Sequence, residues 1–117
     1  MRLRGGFAAT KPNRSEIMRD RIAAMIRSIP RGRVSTYGAI ARAAGYAGAS
    51  RYVAAVLRRS VGMPWQRVLG SGGEIKLRGD SAVEQRLRLE AEGVRFRGKR
   101  VDMKAHEWKF VRAGKRK

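Results

Sequence analysis

The sequence contains no cysteine, one histidine and three prolines among 117 residues. Without cysteine there is no disulfide framework, no thiolate metal site and no cysteine nucleophile. A single histidine, His106, excludes a histidine-rich metal cluster, and it lies far from any serine arrangement suited to a catalytic pair. Acid is scarce too: 9 Asp and Glu face 28 Lys and Arg, a formal net charge of +19. So large an excess carries a self-repulsion that a polyanionic partner relieves. Nucleic acid is the leading candidate, with an anionic membrane surface well behind. No apolar run reaches the roughly 18 residues that would span a membrane. The apolar stretch after Arg4, Gly5 to Ala9, is too short for a signal peptide. The expectation is a single cytoplasmic, nucleoid-associated domain, monomeric, without metal or cofactor. The apolar fraction of 43% is ordinary, so a small core can form.

The charge is unevenly placed. No acid lies between Asp20 and Glu74, whereas nine arginines do: Arg21, Arg27, Arg31, Arg33, Arg42, Arg51, Arg58, Arg59 and Arg67. Arginine is the side chain suited to planar phosphate and base contacts. Residues 1–14 hold four basic groups and no acid, and 95–117 hold ten against two. They read as a basic N-terminal extension (1–14) and a basic C-terminal tail (104–117) with a packing Trp108, around a DNA-binding domain at 15–103.

Asn13 and Glu16 have capping-box spacing, and Met18, Ile22, Met25 and Ile29 recur at helical period, with Ile26 beside them. Pro30 ends this helix. Val34 starts a short extended piece, Ser35 or Thr36 caps a second helix with Ile40, Ala41 and Ala44 inward, and Gly45 stops it. A third helix spans about Ala49 to Arg59. Helix, short glycine-bearing turn, helix is the helix-turn-helix pattern. At 100° per residue, Val53, Val56 and Leu57 share one face of the third helix, while Arg51, Ala55, Arg58 and Arg59 share the other. The outer face is basic around a small centre, fit for a groove; the plainer reading is a solvated face beside a core stripe. Met63 to Leu77 reads as a hairpin or loop–strand unit around a Gly/Ser turn. Ser81 and Glu84 have capping-box spacing for a helix to about Glu92, with Val83, Leu87 and Ala91 inward. Val94–Phe96 and Val101–Met103 form a small hairpin, and Trp108 and Phe110 pack back onto the body. The predicted class is α+β, mostly helical: a winged-helix-like helix-turn-helix with short strands and hairpins.

Five segments stand in order: Gly32-Arg33-Val34-Ser35-Thr36-Tyr37-Gly38, Ala41-Arg42-Ala43-Ala44-Gly45-Tyr46, Ser50-Arg51-Tyr52-Val53, Pro64-Trp65-Gln66-Arg67-Val68 and Glu90-Ala91-Glu92-Gly93. Together they resemble the DNA-binding domain of the O6-alkylguanine–DNA alkyltransferases over about residues 15–95. In active members the fourth segment reads Pro-Cys-His-Arg-Val, and the cysteine thiolate takes the alkyl group from guanine O6. Here Trp65 and Gln66 occupy the cysteine and histidine positions, and Glu92 matches the glutamate that helps activate the thiol. Indole is no nucleophile for this transfer. The pattern is similar to the alkyltransferase-like subfamily. That resemblance implies a non-enzymatic sensor that binds O6-alkylguanine in double-stranded DNA through the minor groove, flips the base and passes the lesion to nucleotide excision repair proteins. An alternative is a basic architectural or regulatory DNA-binding protein without lesion specificity, which Tyr52, a large residue on the recognition helix, and the basic ends favour.

The resemblance also implies roles. Tyr37 crowds the target's phosphate, or else packs at the helix start. Arg51 fills the vacated stack, or else contacts phosphate; a planar cation there limits an unstacking cost of a few kcal/mol. Ser50, Tyr52, Ala55, Arg58 and Arg59 face DNA. Pro64, Trp65, Val68 and Arg78 surround the flipped base, with the backbone of Trp65 and Val68 accepting from the guanine edge. Trp65 is either a wall of that pocket or core filler, and Arg78 either senses the base or is a surface arginine. Gln66, Arg67 and Glu92 are structural, with Arg67 tying the active-site strand to neighbouring backbone.

Overall fold

The computed structural model describes residues 11–111. The capping box forms as expected: Asn13 Oδ1 accepts from the Glu16 amide at 2.8 Å and Glu16 Oε1 from the Asn13 amide at 3.0 Å. They open helix α1 (Arg14–Arg27), which buries Ile22, Ala23 and Ile26. Thr36, not Ser35, caps α2 (Tyr37–Ala43), its hydroxyl accepting from the Ala39 amide. Gly45 follows at φ +97°, and α3 (Ser50–Arg59) starts after a second left-handed glycine, Gly48. Ile22, Ile26, Ile29, Ile40, Ala41, Val53, Val56, Met63 and Val68 form one core, with Trp108 and Phe110 packed on its edge.

The extended piece predicted at Val34 is the hinge of the molecule. Strand β1 (Ser35–Thr36) pairs in parallel with β2 (Val68–Leu69), Ser35 opposite Val68. Val34 itself donates to the His106 carbonyl at 2.9 Å and accepts from the Trp108 amide at 2.8 Å. Residues 106–108 thus pair beside Val34. A second core of Val34, Leu69, Leu89, Val94 and Val101 lies under β2. The terminal hairpin forms with β3 (Phe96–Arg97) against β4 (Arg100–Val101), and helix α5 (Met103–His106) follows.

Two expectations are corrected. Helix α4 (Gly79–Ala91) begins at Gly79, and its N-cap is Arg78 with no side-chain cap bond. Gly79 turns the chain at φ +62°, so the helix starts early and Ser81 falls inside its first turn, where Asp80 supplies the charge complement. Nor do Val83, Leu87 and Ala91 face inward: Val83 and Leu87 are each 60% exposed and Ala91 is exposed. The buried residues are Gln85 and Leu89. The reason is a demand for a donor. Gln85 Nε2 donates to the carbonyls of Gln66, at 3.1 Å, and Val68, at 2.9 Å, so an amide was needed where the pattern suggested a methyl group. The Met63–Leu77 segment is a loop–strand unit: β2 pairs with β1, and the turn back closes on Gly70 and Glu74 alone.

That turn rests on Gly73, at φ +88°, where an added Cβ would stand 2.7 Å from the Val101 carbonyl. Gly45, also at positive φ, has nothing within 4 Å of such a Cβ. Both Gly→Ala variants incur the left-handed backbone cost, about 1 kcal/mol or more. In urea denaturation Gly73→Ala should lose clearly more stability than Gly45→Ala; equal losses would remove the close-approach role of Gly73.

Candidate nucleic-acid interface

Helix α3 presents Arg51, Arg58 and Arg59, all exposed, and buries Val53 and Val56. The outer and inner faces are those read from the sequence. One of the nine arginines in the acid-free stretch is used internally: Arg67 donates to the Ile29 carbonyl and pairs with Glu92. Arg31 and Arg33 donate to the carbonyls of Ala91 and Ala105 and stay exposed, so their charge remains on the basic surface with that of α3. Tyr52 lies beside Ala55 and Arg59, lining one recess with them, and its hydroxyl donates to the Ser15 carbonyl at 3.2 Å, tying α3 to the start of α1. Ser50 and Ala55 are half-buried at the helix surface.

Behind α3 lies a cavity of about 230 Å³ lined by Tyr37, Ala54, Leu57, Arg58, Trp65 and Leu77. It is smaller than the 300–1,000 Å³ of drug-sized sites, and suits one planar ring. α2 contributes Tyr37 from its first residue, α3 contributes Ala54, Leu57 and Arg58, and the 3₁₀ turn Trp65–Arg67 contributes the indole. Burial raises the Tyr37 pKa above the ordinary tyrosine value, with the positive charge of Arg58 opposing. At neutral pH the phenol is therefore a protonated donor at the cavity wall.

Trp65 is held in place from α4. Arg88 Cζ lies 5.4 Å from the indole centroid, within cation–π range, and Arg88 is aimed there by Glu84, 2.7 Å away. Trp65, Arg27, Pro64, Arg67 and Arg88 line a second, more polar recess of about 630 Å³. The indole thus stands between two openings, as a wall rather than as core filler.

The turn that carries Trp65 is fastened to Glu92. Glu92 Oε1 accepts from the Gly32 amide at 2.9 Å and from Arg67 Nε at 3.0 Å; Oε2 accepts from Gln66 Nε2 at 2.8 Å and the Arg67 guanidinium at 3.0 Å. The Glu92 side chain is 4% exposed and that of Arg67 17%. Burial pushes the Glu92 pKa up, but the bonds from Arg67, Gly32 and Gln66 and the Arg67 charge outweigh it, and the net shift is downward. Glu92 is a structural anchor, with Gln66 and Arg67 as its partners.

Other predicted residues fall elsewhere. Val68 is 1% exposed and lines no part of the base-sized cavity; its side chain is in the core and its carbonyl already accepts from Gln85. Pro64 borders the polar recess and not the cavity. Arg78 is exposed at the α4 N-cap and does not line the cavity either, because the early helix start turns it outward. Leu77 and Arg88 were missed. The Glu84–Arg88 spacing was visible, but nothing in the sequence showed what the pair would aim at.

A helix-turn-helix whose second helix presents an exposed basic face is the pattern of a DNA-binding domain. The family model described as 6-O-methylguanine DNA methyltransferase, DNA binding domain, matches residues 18–94, and the chain belongs to that family. It is 35% identical over 104 residues to the DNA base-flipping protein of Escherichia coli (strain K12), covering 86% of this chain and 81% of that one. It is 46% identical over 71 residues to alkyltransferase-like protein 1 of Schizosaccharomyces pombe (strain 972 / ATCC 24843), covering 56% and 66%. A crystal structure of S. pombe Atl1 with damaged DNA containing O6-carboxymethylguanine superposes with a TM-score of 0.67 at 30% identity, covering 93% of this chain and 99% of that one.

The Glu92 anchor makes a pH prediction. A carboxylate whose pKa is lower folded than unfolded adds stability above its ordinary value of 4.5, and that stability is lost as pH falls through the folded value. Thermal stability should therefore drop below about pH 4.5, and Glu92→Gln should flatten that drop while costing about 3 kcal/mol at pH 7 by leaving Arg67 unpaired. An unchanged acid limb in Glu92→Gln would show that the anchor does not titrate as described.

Proposed function

We propose that this chain is a non-enzymatic DNA-damage sensor: it binds duplex DNA containing O6-alkylguanine, turns the base into the Tyr37–Trp65 cavity and leaves the alkyl group on. The observation that carries this reading is the indole of Trp65 as cavity wall in a chain without cysteine. The site has a place for the base and no group to accept the alkyl. Glu92 and Gln66 stand where active relatives activate a thiol, and here Glu92 accepts from both Gln66 and Arg67. Relatives named as base-flipping and alkyltransferase-like proteins, and a neighbour bound to damaged DNA, support the same reading.

The work of the site is then binding work. The exposed arginines of α3 contact backbone along the minor groove, and Arg51, near the helix N-terminus, enters the stack as the base leaves. Tyr37 donates from the wall and crowds the phosphate. Trp65, fixed by Arg88, offers a flat apolar face for an extruded base. Shielding the base and bending the duplex would mark the site for nucleotide excision repair proteins. An architectural role without lesion preference, which Tyr52 and the basic ends suggested, is not favoured, because relatives are named as base-flipping and alkyltransferase-like proteins and a neighbour is bound to damaged DNA.

Competition binding at equal salt should show tighter binding to an O6-methylguanine duplex than to the guanine duplex, with the methyl group still on the DNA afterwards. About five phosphate contacts give a log–log salt slope near −4.5 for either duplex. Arg51→Ala should reduce lesion discrimination, whereas Lys117→Ala should lower affinity for both duplexes alike. Equal affinities from about 0.1 to 0.3 M salt, or transfer of the methyl group, would refute the proposal.

A further inference from the structure

Charge that α3 does not account for gathers on the β3–β4 ribbon. Residues 95–104 hold five basic groups, Arg95, Arg97, Lys99, Arg100 and Lys104, against one acid, Asp102, and all five are exposed. The ribbon closes the second core, to which Val94 and Val101 belong. The two cores lie on opposite faces of the β1–β2 pair: Val68 points into the first and its neighbour Leu69 into the second, as successive strand residues do. α3 packs on the first core through Val53 and Val56. The ribbon and the outer face of α3 are therefore turned away from each other, and a straight duplex seated on α3 does not reach the ribbon.

The ribbon is braced, yet its charge is left uncompensated. Arg86 donates to the Gly98 carbonyl at 3.0 Å and stacks 4.1 Å from the Phe96 ring. The Arg95 amide donates to His106 Nε2 at 3.0 Å. On the open face Arg97 stands directly opposite Arg100 in the pairing register, and like charges so placed repel. Asp102 meets Arg97 at 3.5 Å, but the Arg97 side chain is 79% exposed, and a pair so exposed offsets little of that repulsion. No large apolar side chain of 95–104 is exposed, and Lys99 alone of the five basic groups borders the apolar groove of Leu77, Val83 and Leu87. Protein–protein interfaces are centred on apolar and aromatic groups, whereas nucleic-acid interfaces are polar and strongly basic. An arginine-rich ribbon without an apolar centre fits a phosphate backbone.

We infer that the β3–β4 ribbon is a second DNA-binding surface, by which one molecule joins two segments of duplex: one on α3 and one on the ribbon. An anion seated between Arg97 and Arg100 relieves their repulsion. The ribbon's bonds go to phosphates and carry no sequence or lesion preference. About four of them give the second duplex a log–log salt slope near −3.6. The inference rests on α3 as a DNA surface and not on lesion recognition.

The test immobilises a short undamaged duplex on beads and measures whether the full chain retains a second, fluorescent duplex at about 0.1 M salt. The variant carries Arg95→Gln, Arg97→Gln, Lys99→Gln and Arg100→Gln together, with its fold checked by circular dichroism. The milder pair Arg95→Gln with Lys99→Gln, outside the paired strand residues, serves if the fourfold variant does not fold. The parent should retain the fluorescent duplex, with a maximum as protein is raised, because excess protein occupies each duplex separately. Retention should fall roughly tenfold in the fourfold variant and severalfold in the pair, while the salt slope for a single duplex stays that of the parent. No retention by a parent that binds the immobilised duplex overturns the inference, and so does retention that survives in the variants. A single-duplex slope made shallower by about 3.6 in the fourfold variant also overturns it, by putting the ribbon on the same duplex as α3. A polyglutamate peptide held by the parent and not by the variant, without duplex bridging, overturns it in favour of an acidic protein partner. All of these duplexes are undamaged, so failure here leaves the lesion-sensor reading to its own competition measurement.

Discussion

The structure depends on one buried carboxylate. Glu92 gathers the turn after α1 through the Gly32 amide, and the Trp65–Arg67 turn through Gln66 and Arg67. These elements are far apart in sequence, and apart from Glu92 they are joined by the Arg67 bond to the Ile29 carbonyl, the Arg31 bond to the Ala91 carbonyl, the β1–β2 pairing and apolar contact. Apolar packing sets proximity but not orientation; three directed donors on one acceptor set both. In this chain the carboxylate is a fastening for the turn that carries Trp65.

Rigidity has a use in the proposed function, in which the base is bound and no group is transferred. A base leaving the stack gives up a few kcal/mol of stacking and pairing. That loss is offset best by a surface already in its bound form, since ordering side chains on binding costs affinity. Trp65 meets the requirement: Arg88 lies over the indole, Glu84 holds Arg88, and Gln85 ties the backbone beneath it to α4. Helix α4 thus supports the cavity with Glu84, Gln85 and Arg88, buries Leu89 in the second core and leaves Val83 and Leu87 on the outside.

This inversion is also where sequence reading met its limit. The helix-turn-helix was legible because its signals are local: the Asn13 cap, glycines at Gly45 and Gly48, and two separable faces on α3. The replacement of the reactive cysteine by Trp65 was legible because the flanking Pro64 and Arg67-Val68 set its position. α4 misled because periodicity assumes that apolar residues are inward, and here two carbonyls of the Trp65 turn required the Gln85 amide. Val68 and Arg78 sit close to the cavity along the chain but do not line it: the Val68 side chain is in the core and Arg78 is at the α4 N-cap, and only three-dimensional packing decides that. Leu77 joined the cavity without any local signal at all.

The central claim is that the lesion base stacks against Trp65 inside the cavity. Fluorescence of a Trp108→Phe variant, which leaves Trp65 as the single tryptophan, tests it directly. Adding an O6-methylguanine duplex should quench the emission to a one-to-one endpoint, while the guanine duplex at the same salt, although bound, should leave it nearly unchanged. Equal quenching by both duplexes, or none by the lesion duplex under conditions where it is bound, would contradict the account.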